Sequence, residues 1–124
     1  MPYVTIAASS AFTAEQKKSL MQGASDTVEH VVKASLANIR VLLQDVPDGY
    51  YLNAGKFGTP VLMYRVELIE GRGDDLKNEL IAGLSKSGAH ATGMSEDEIR
   101  VLILDYPKAD MGMAGGISAL KAGR

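Results

Sequence analysis

The chain has 124 residues, 46% hydrophobic and 23% charged, which suits one compact domain. A formal net charge of −2 supplies no general basic field, so neither nucleic acid nor an anionic membrane is an expected partner. The absence of cysteine excludes disulfides, thiolate metal sites and a thiol nucleophile, and suits a reducing cytoplasm.

The opening MPYVTIAASS lacks the basic and long apolar regions of a signal peptide, and no apolar run approaches the roughly eighteen residues of a membrane span. A soluble cytoplasmic protein is expected. Tyr3–Ala8 is rich in β-favouring residues and predicts a first strand. Thr13 with Gln16 three residues on has the form of a capping box, and Leu20, Met21, Ala24, Val28, Val31 and Val32 make the apolar stripe of a helix.

Ile39–Val46 is a near-continuous apolar run stopped by Pro47, which predicts a buried parallel strand. Residues from Gly49 to Gly58 form a linker with a short hairpin. Leu62–Ile69 alternates as a third strand. A second helix starts at Asp74 and Asp75, acids suited to the positive end of a helix dipole, and presents Leu76, Leu80, Ile81 and Leu84 before ending by Gly93. Ile99–Tyr106, stopped by Pro107, is the last long strand. Met111 to Gly116 reads as a terminal counterpart of the linker hairpin, and Lys121 and Arg124 as a solvated tail.

RVLLQDVP at residues 40–47 and RVLILDYP at 100–107 are one phrase written twice at an offset of 60. The same gapless offset lays Lys17 on Lys77, Leu20 on Leu80, Gly23 on Gly83, His30 on His90 and Gly55 on Gly115. Two copies of one structural unit follow. The expectation is a single α+β domain, residues 1–124, of two tandem β-α-β pseudo-repeats at about 2–58 and 62–118. Together they form a four-stranded mixed sheet with both helices on one face. Two helices leave the other sheet face bare, so further copies of the chain are expected to cover it.

Arg72 stands between Gly71 and Gly73, at a strand end and just before a helix amino terminus. There a guanidinium and unpaired backbone amides can hold a carboxylate together. His30 and His90, without a carboxylate cluster, make a poor metal site, and Gly112, Gly115 and Gly116 read as turn residues. Neither metal nor cofactor is expected.

Three features resemble the tautomerase superfamily: the opening Met1-Pro2, the stretch IEGRGDDLK at 69–77, and IRV at both 39–41 and 99–101. The likeness is closest to fused 4-oxalocrotonate tautomerase-like members, with the tautomerase (MIF-like) fold. The resemblance implies a cofactor-independent keto-enol tautomerase of small 2-hydroxydienoate or 2-oxo acids, assembled as a homotrimer.

Loss of Met1 would turn the Pro2 nitrogen from an amide into a secondary amine, and the resemblance makes that amine the general base and acid. It assigns Arg72 to a substrate carboxylate, and to Arg100, or second Arg40, the substrate's hydroxyl or carbonyl end. Met111 and Tyr51 fall where the family has an apolar wall residue, Met111 facing Pro2. The competing role for Arg40 and Arg100 is a salt bridge to Asp45 or Asp105. In the second half Leu62 matches Pro2, and in the first Phe12 matches Arg72, so one complete kind of site is expected.

Two other functions compete with this one. A 3-chloroacrylate dehalogenase-like hydratase needs a carboxylate to activate water, and Met113 and Glu29 at the matching positions disfavour it. A non-enzymatic ferredoxin-like ligand-binding or oligomerisation module shares the order of elements.

Overall fold

The computed structural model describes residues 1–124. Strand β1 (Pro2–Ser9) leads into helix α1 (Ala14–Val32), then β2 (Arg40–Val46), β3 (Leu62–Ile69), α2 (Asp74–Thr92) and β4 (Arg100–Tyr106). A short terminal hairpin, β5 (Gly112–Met113) with β6 (Ile117–Ser118), follows. The main sheet has the order β2-β1-β3-β4. Within each half the strands are parallel, while β1 and β3 meet antiparallel at the centre. This is the expected mixed sheet of two β-α-β units, with both helices packed on one face.

Alternation along the strands decides which side chains meet the helices. Val4, Ile6 and Ala8 of β1 and Leu62, Tyr64, Val66 and Leu68 of β3 are buried against Leu20, Ala24 and Val28 of α1 and Leu80 and Leu84 of α2. Each large apolar side chain so buried contributes about 1.5–3 kcal/mol. Two ion pairs tie helix to strand at equivalent places, Lys17 to Asp45 at 2.8 Å and Lys77 to Asp105 at 2.5 Å.

The helices touch through an equally matched pair of contacts. A Cβ on Gly23 would lie 2.3 Å from Ser87 Oγ, and one on Gly83 would lie 2.9 Å from Thr27 Cγ2. The recurring glycine therefore lets the two helix backbones approach.

The helix ends differ. At α1 the capping box is complete: Gln16 N–H donates to Thr13 Oγ1 at 3.1 Å and Thr13 N–H to Gln16 Oε1 at 2.8 Å. At α2 the cap is Gly73, with no side-chain bond, and Asp74 and Asp75 fill the first turn. Gly93 closes α2 in the left-handed conformation.

Two expectations are corrected. β2 and β4 are edge strands, and Leu42, Leu102 and Leu104 on the open sheet face are exposed in the single chain rather than buried. The stripe of α2 runs through Leu76, Leu80, Leu84 and Gly88, while Ile81, turned about 100° from Leu80, is exposed. Lys121 and Arg124 are exposed, as expected of a solvated tail, and the backbone around them is tied down: Leu120 N–H donates to the Lys108 carbonyl at 3.1 Å, Arg124 N–H donates to the Ala119 carbonyl at 3.0 Å, and Ala119 is wholly buried. The linker hairpin is present as a single bridge between Asn53 and Lys56. No helix is long and apolar enough to cross a membrane.

Candidate active site

Pro2 begins β1 opposite Leu68 of β3, on the helix side of the sheet, and its ring is fully buried. Because β1 and β3 run antiparallel, the start of β1 lies beside the end of β3 and the loop into α2. Gly71, at φ +122°, takes a left-handed conformation open to glycine and lets the chain turn immediately after β3. Arg72 follows, held by a 3.0 Å bond from its Nη1 to the Ile69 carbonyl.

These elements border a cavity of about 570 Å³ whose lining includes Met1, Lys33, Glu70, Arg72, Lys108 and Arg124. The free amine there is that of Met1, and the Pro2 nitrogen is an amide. Burial holds this amine below its ordinary value of 8.0, and Arg124, Arg72 and Arg40, in that order, press it further down. A smaller cavity of about 320 Å³ lies alongside, lined by Met1, Tyr3, Arg40 and Met113 among others.

The second-arginine candidates separate. Arg40 opens β2 beside Tyr3, at the Pro2 end, whereas Arg100 opens β4 beside Met63, which faces Ala7. Arg100 therefore stands roughly 15–20 Å away along the sheet in its own chain, and reaches a Pro2 cavity only from another copy. Neither arginine pairs with Asp45 or Asp105, which are taken by Lys17 and Lys77. Each instead braces the turn before its strand: Arg40 Nη1 donates to the Ala37 carbonyl at 2.8 Å, and Arg100 Nη1 to that of Asp97 at 2.6 Å.

Met111 is buried at the Pro2 end, next to Gly112, whose carbonyl accepts a 3.4 Å bond from the Tyr3 hydroxyl. Tyr51 lies at the opposite end, in a cavity of about 420 Å³ bordered by Ser9, Ala11, Asp48 and Val61. Leu62 and Phe12, the counterparts of Pro2 and Arg72, are both buried in the core. Sequence reasoning did not place Lys108 in this cavity and left Arg124 in a solvated tail. The one available signal was Lys108, which falls on Asp48 under the 60-residue offset.

A family model described as tautomerase enzyme matches residues 2–58 and again residues 64–120. The chain belongs to the tautomerase family. It is a fused member, with two 4-oxalocrotonate tautomerase-like units in one chain. Among solved structures it is similar to Pt0534 inactivated by 2-oxo-3-pentynoate, at 54% identity and a TM-score of 0.96 over 98% of this chain and 99% of that one. A fused 4-OT that forms a symmetric trimer shares 34% identity and a TM-score of 0.94, over 98% and 99% of the two chains.

Tautomerases of half this length match as well. The 2-hydroxymuconate tautomerase of Comamonas testosteroni is 33% identical over 60 residues, 48% of this chain and 94% of that one. A probable tautomerase of Streptococcus pyogenes serotype M3 is 36% identical over 56 residues, 45% and 92% of the two.

Proposed function

We propose that the chain is a cofactor-independent keto-enol tautomerase of small 2-hydroxydienoate or 2-oxo acids, with Pro2 as the proton carrier. One observation carries this reading: the Met1 amine, just ahead of β1, lines a cavity with Arg72 and Arg124, and burial followed by these guanidinium groups holds it below its ordinary pKa. Removal of Met1 would expose the Pro2 nitrogen one residue deeper, where burial and the same guanidinium groups disfavour its ammonium form.

The neutral amine takes the proton from the 2-hydroxyl of the enol. The oxygen closes to a carbonyl, the double bond shifts along the chain, and Pro2 returns the proton to carbon, so nothing is gained or lost overall. Arg72 holds a carboxylate. Arg100 or Arg40 stabilises charge on the oxygen as it develops: Arg40 is supported by its place beside the amine, Arg100 by the reach of a neighbouring copy. Met111 keeps water from the base, with Tyr51 as its pseudo-equivalent.

The assembly we propose is a homotrimer that imitates a hexamer of short units, working in the cytoplasm. Its supports are the trimeric state of the fused 4-OT neighbour and the exposed leucines of the open sheet face.

Intact-mass analysis should show loss of Met1, and the processed protein should turn over 2-hydroxymuconate or phenylenolpyruvate. Pro2→Ala should lower kcat/KM by roughly 10²-fold or more. Retained methionine, or equal turnover by the variant, would overturn the assignment and favour a non-enzymatic binding module.

A further inference from the structure

We propose that Lys108 and Arg124 form a second anion subsite beside Pro2, which selects dianionic acids over monoanionic ones. This rests on the tautomerase reading of the cavity but concerns two residues outside the three sequence features that carry that reading. The side chains lining the cavity include four cations, Lys33, Arg72, Lys108 and Arg124, and one carboxylate, that of Glu70. Both ion pairs of the molecule lie elsewhere, on Asp45 and Asp105. Arg72 and Lys108 are half-buried and Lys33 and Arg124 exposed; like charges gathered around one recess disfavour one another, and a bound anion relieves that cost.

The four cations are not equivalent. Arg72 is turned by its bond to the Ile69 carbonyl and suits one carboxylate. The side chains of Lys33, Lys108 and Arg124 donate to no protein group; Lys33 caps α1, while Lys108 and Arg124 are joined through one terminal turn by the Leu120-to-Lys108 and Arg124-to-Ala119 backbone bonds. The fold therefore spends a buried alanine and a closed turn to bring Arg124 back to the amino terminus. Of the three arginines acting on that amine, Arg124 has the largest effect.

The opposite end of the molecule serves as an internal control. Under the 60-residue offset Lys33 becomes Gly93, Arg72 becomes Phe12 and Lys108 becomes Asp48. The cations accumulate only where Pro2 is. A monocarboxylate on Arg72 leaves Lys108 and Arg124 without a counter-charge, whereas a second carboxylate supplies one.

The test compares 2-hydroxymuconate, a dianion, with phenylenolpyruvate, a monoanion, as substrates of wild type, Lys108→Ala, Arg124→Ala and the double variant. The ratio of the two kcat/KM values should shift against the dianion by about tenfold in the double variant, and Lys108→Arg should restore most of the single-site loss. An unchanged ratio would overturn the subsite. Calorimetric titration with hexa-2,4-dienedioate and hexa-2,4-dienoate separates this from failure of the tautomerase reading. Should wild type turn over neither enol acid, a preference for the diacid that the double variant loses would still support the subsite. Equal binding of the two acids by wild type, or a preference the variant retains, would refute it.

Discussion

The two ends of the sheet share a backbone plan and differ in chemistry. At one end Met1, Arg72, Lys108 and Arg124 meet around a cavity of about 570 Å³; at the other, a cavity of about 420 Å³ is bordered by Asp48, Tyr51 and Val61. The features repeated at both ends are those that hold the fold: the Lys17–Asp45 and Lys77–Asp105 pairs, the Arg40 and Arg100 braces, and the Gly23 and Gly83 helix contacts. Fusion into one chain freed each half to change its site residues separately, while the packing between the halves continued to constrain both.

The largest expected effect separates the electrostatics of the two ends. Arg72→Ala should lower kcat/KM by about 10²-fold through loss of a charged carboxylate contact. Its pH profile carries a sign as well. Arg72 depresses the Met1 amine; the Pro2 amine exposed by loss of Met1 should feel the same charge, so removing Arg72 should raise its pKa and extend the protonated, inactive form upward. The ascending limb of kcat/KM should therefore move to higher pH. Asp48→Lys, at the far end and well beyond a Debye length of about 8 Å, should leave that limb in place. A shift in both variants, or in neither, would break the claim that the two ends are electrostatically separate.

A smaller effect lies in the core, where the halves exchange volume. Val4 and Val28 of the first half correspond to Tyr64 and Gly88 of the second. A Cβ on Gly88 would stand 2.8 Å from the Tyr64 hydroxyl and 3.0 Å from Leu62 Cδ2, so the glycine is what admits the ring. Gly88→Ala should cost about 1–3 kcal/mol by overpacking. The Tyr64 hydroxyl is buried without a hydrogen-bond partner, and Tyr64→Phe should gain about 1 kcal/mol by removing an unsatisfied group. Denaturant unfolding of the double variant should recover much of the alanine penalty; simple additivity would mean that ring and glycine do not limit each other.

Much of this plan is legible in the residues, because strand alternation, the capping box, the prolines after β2 and β4 and the 60-residue register are local patterns. The edge status of β2 and β4 is not. An apolar residue such as Leu42 reads alike whether it faces a helix or a bare sheet face awaiting a partner. Antiparallel pairing of β1 with β3 decides that Arg40 rather than Arg100 lies beside Pro2 in its own chain, and no short motif encodes that pairing. The fold-back of Arg124 depends on backbone bonds and on a buried alanine, which small polar sequence conceals.

The smallest expected effect distinguishes the helix starts. Thr13→Ala removes one of two reciprocal capping bonds at α1 and should cost about 1 kcal/mol. Asp74→Asn leaves the side chain's shape at α2 and removes only its favourable charge against the helix dipole, worth about 0.3–1 kcal/mol. The two losses differ in physical kind. A hydrogen bond at short range is little affected by ions, while an exposed charge acting on a dipole is screened. Unfolding measured at low and high salt should find the Thr13→Ala penalty constant and the Asp74→Asn penalty shrinking. Equal salt sensitivity would mean that both helices start by the same means. The bare Gly73 cap would then be no sign that α2 leaves its first amides open beside Arg72.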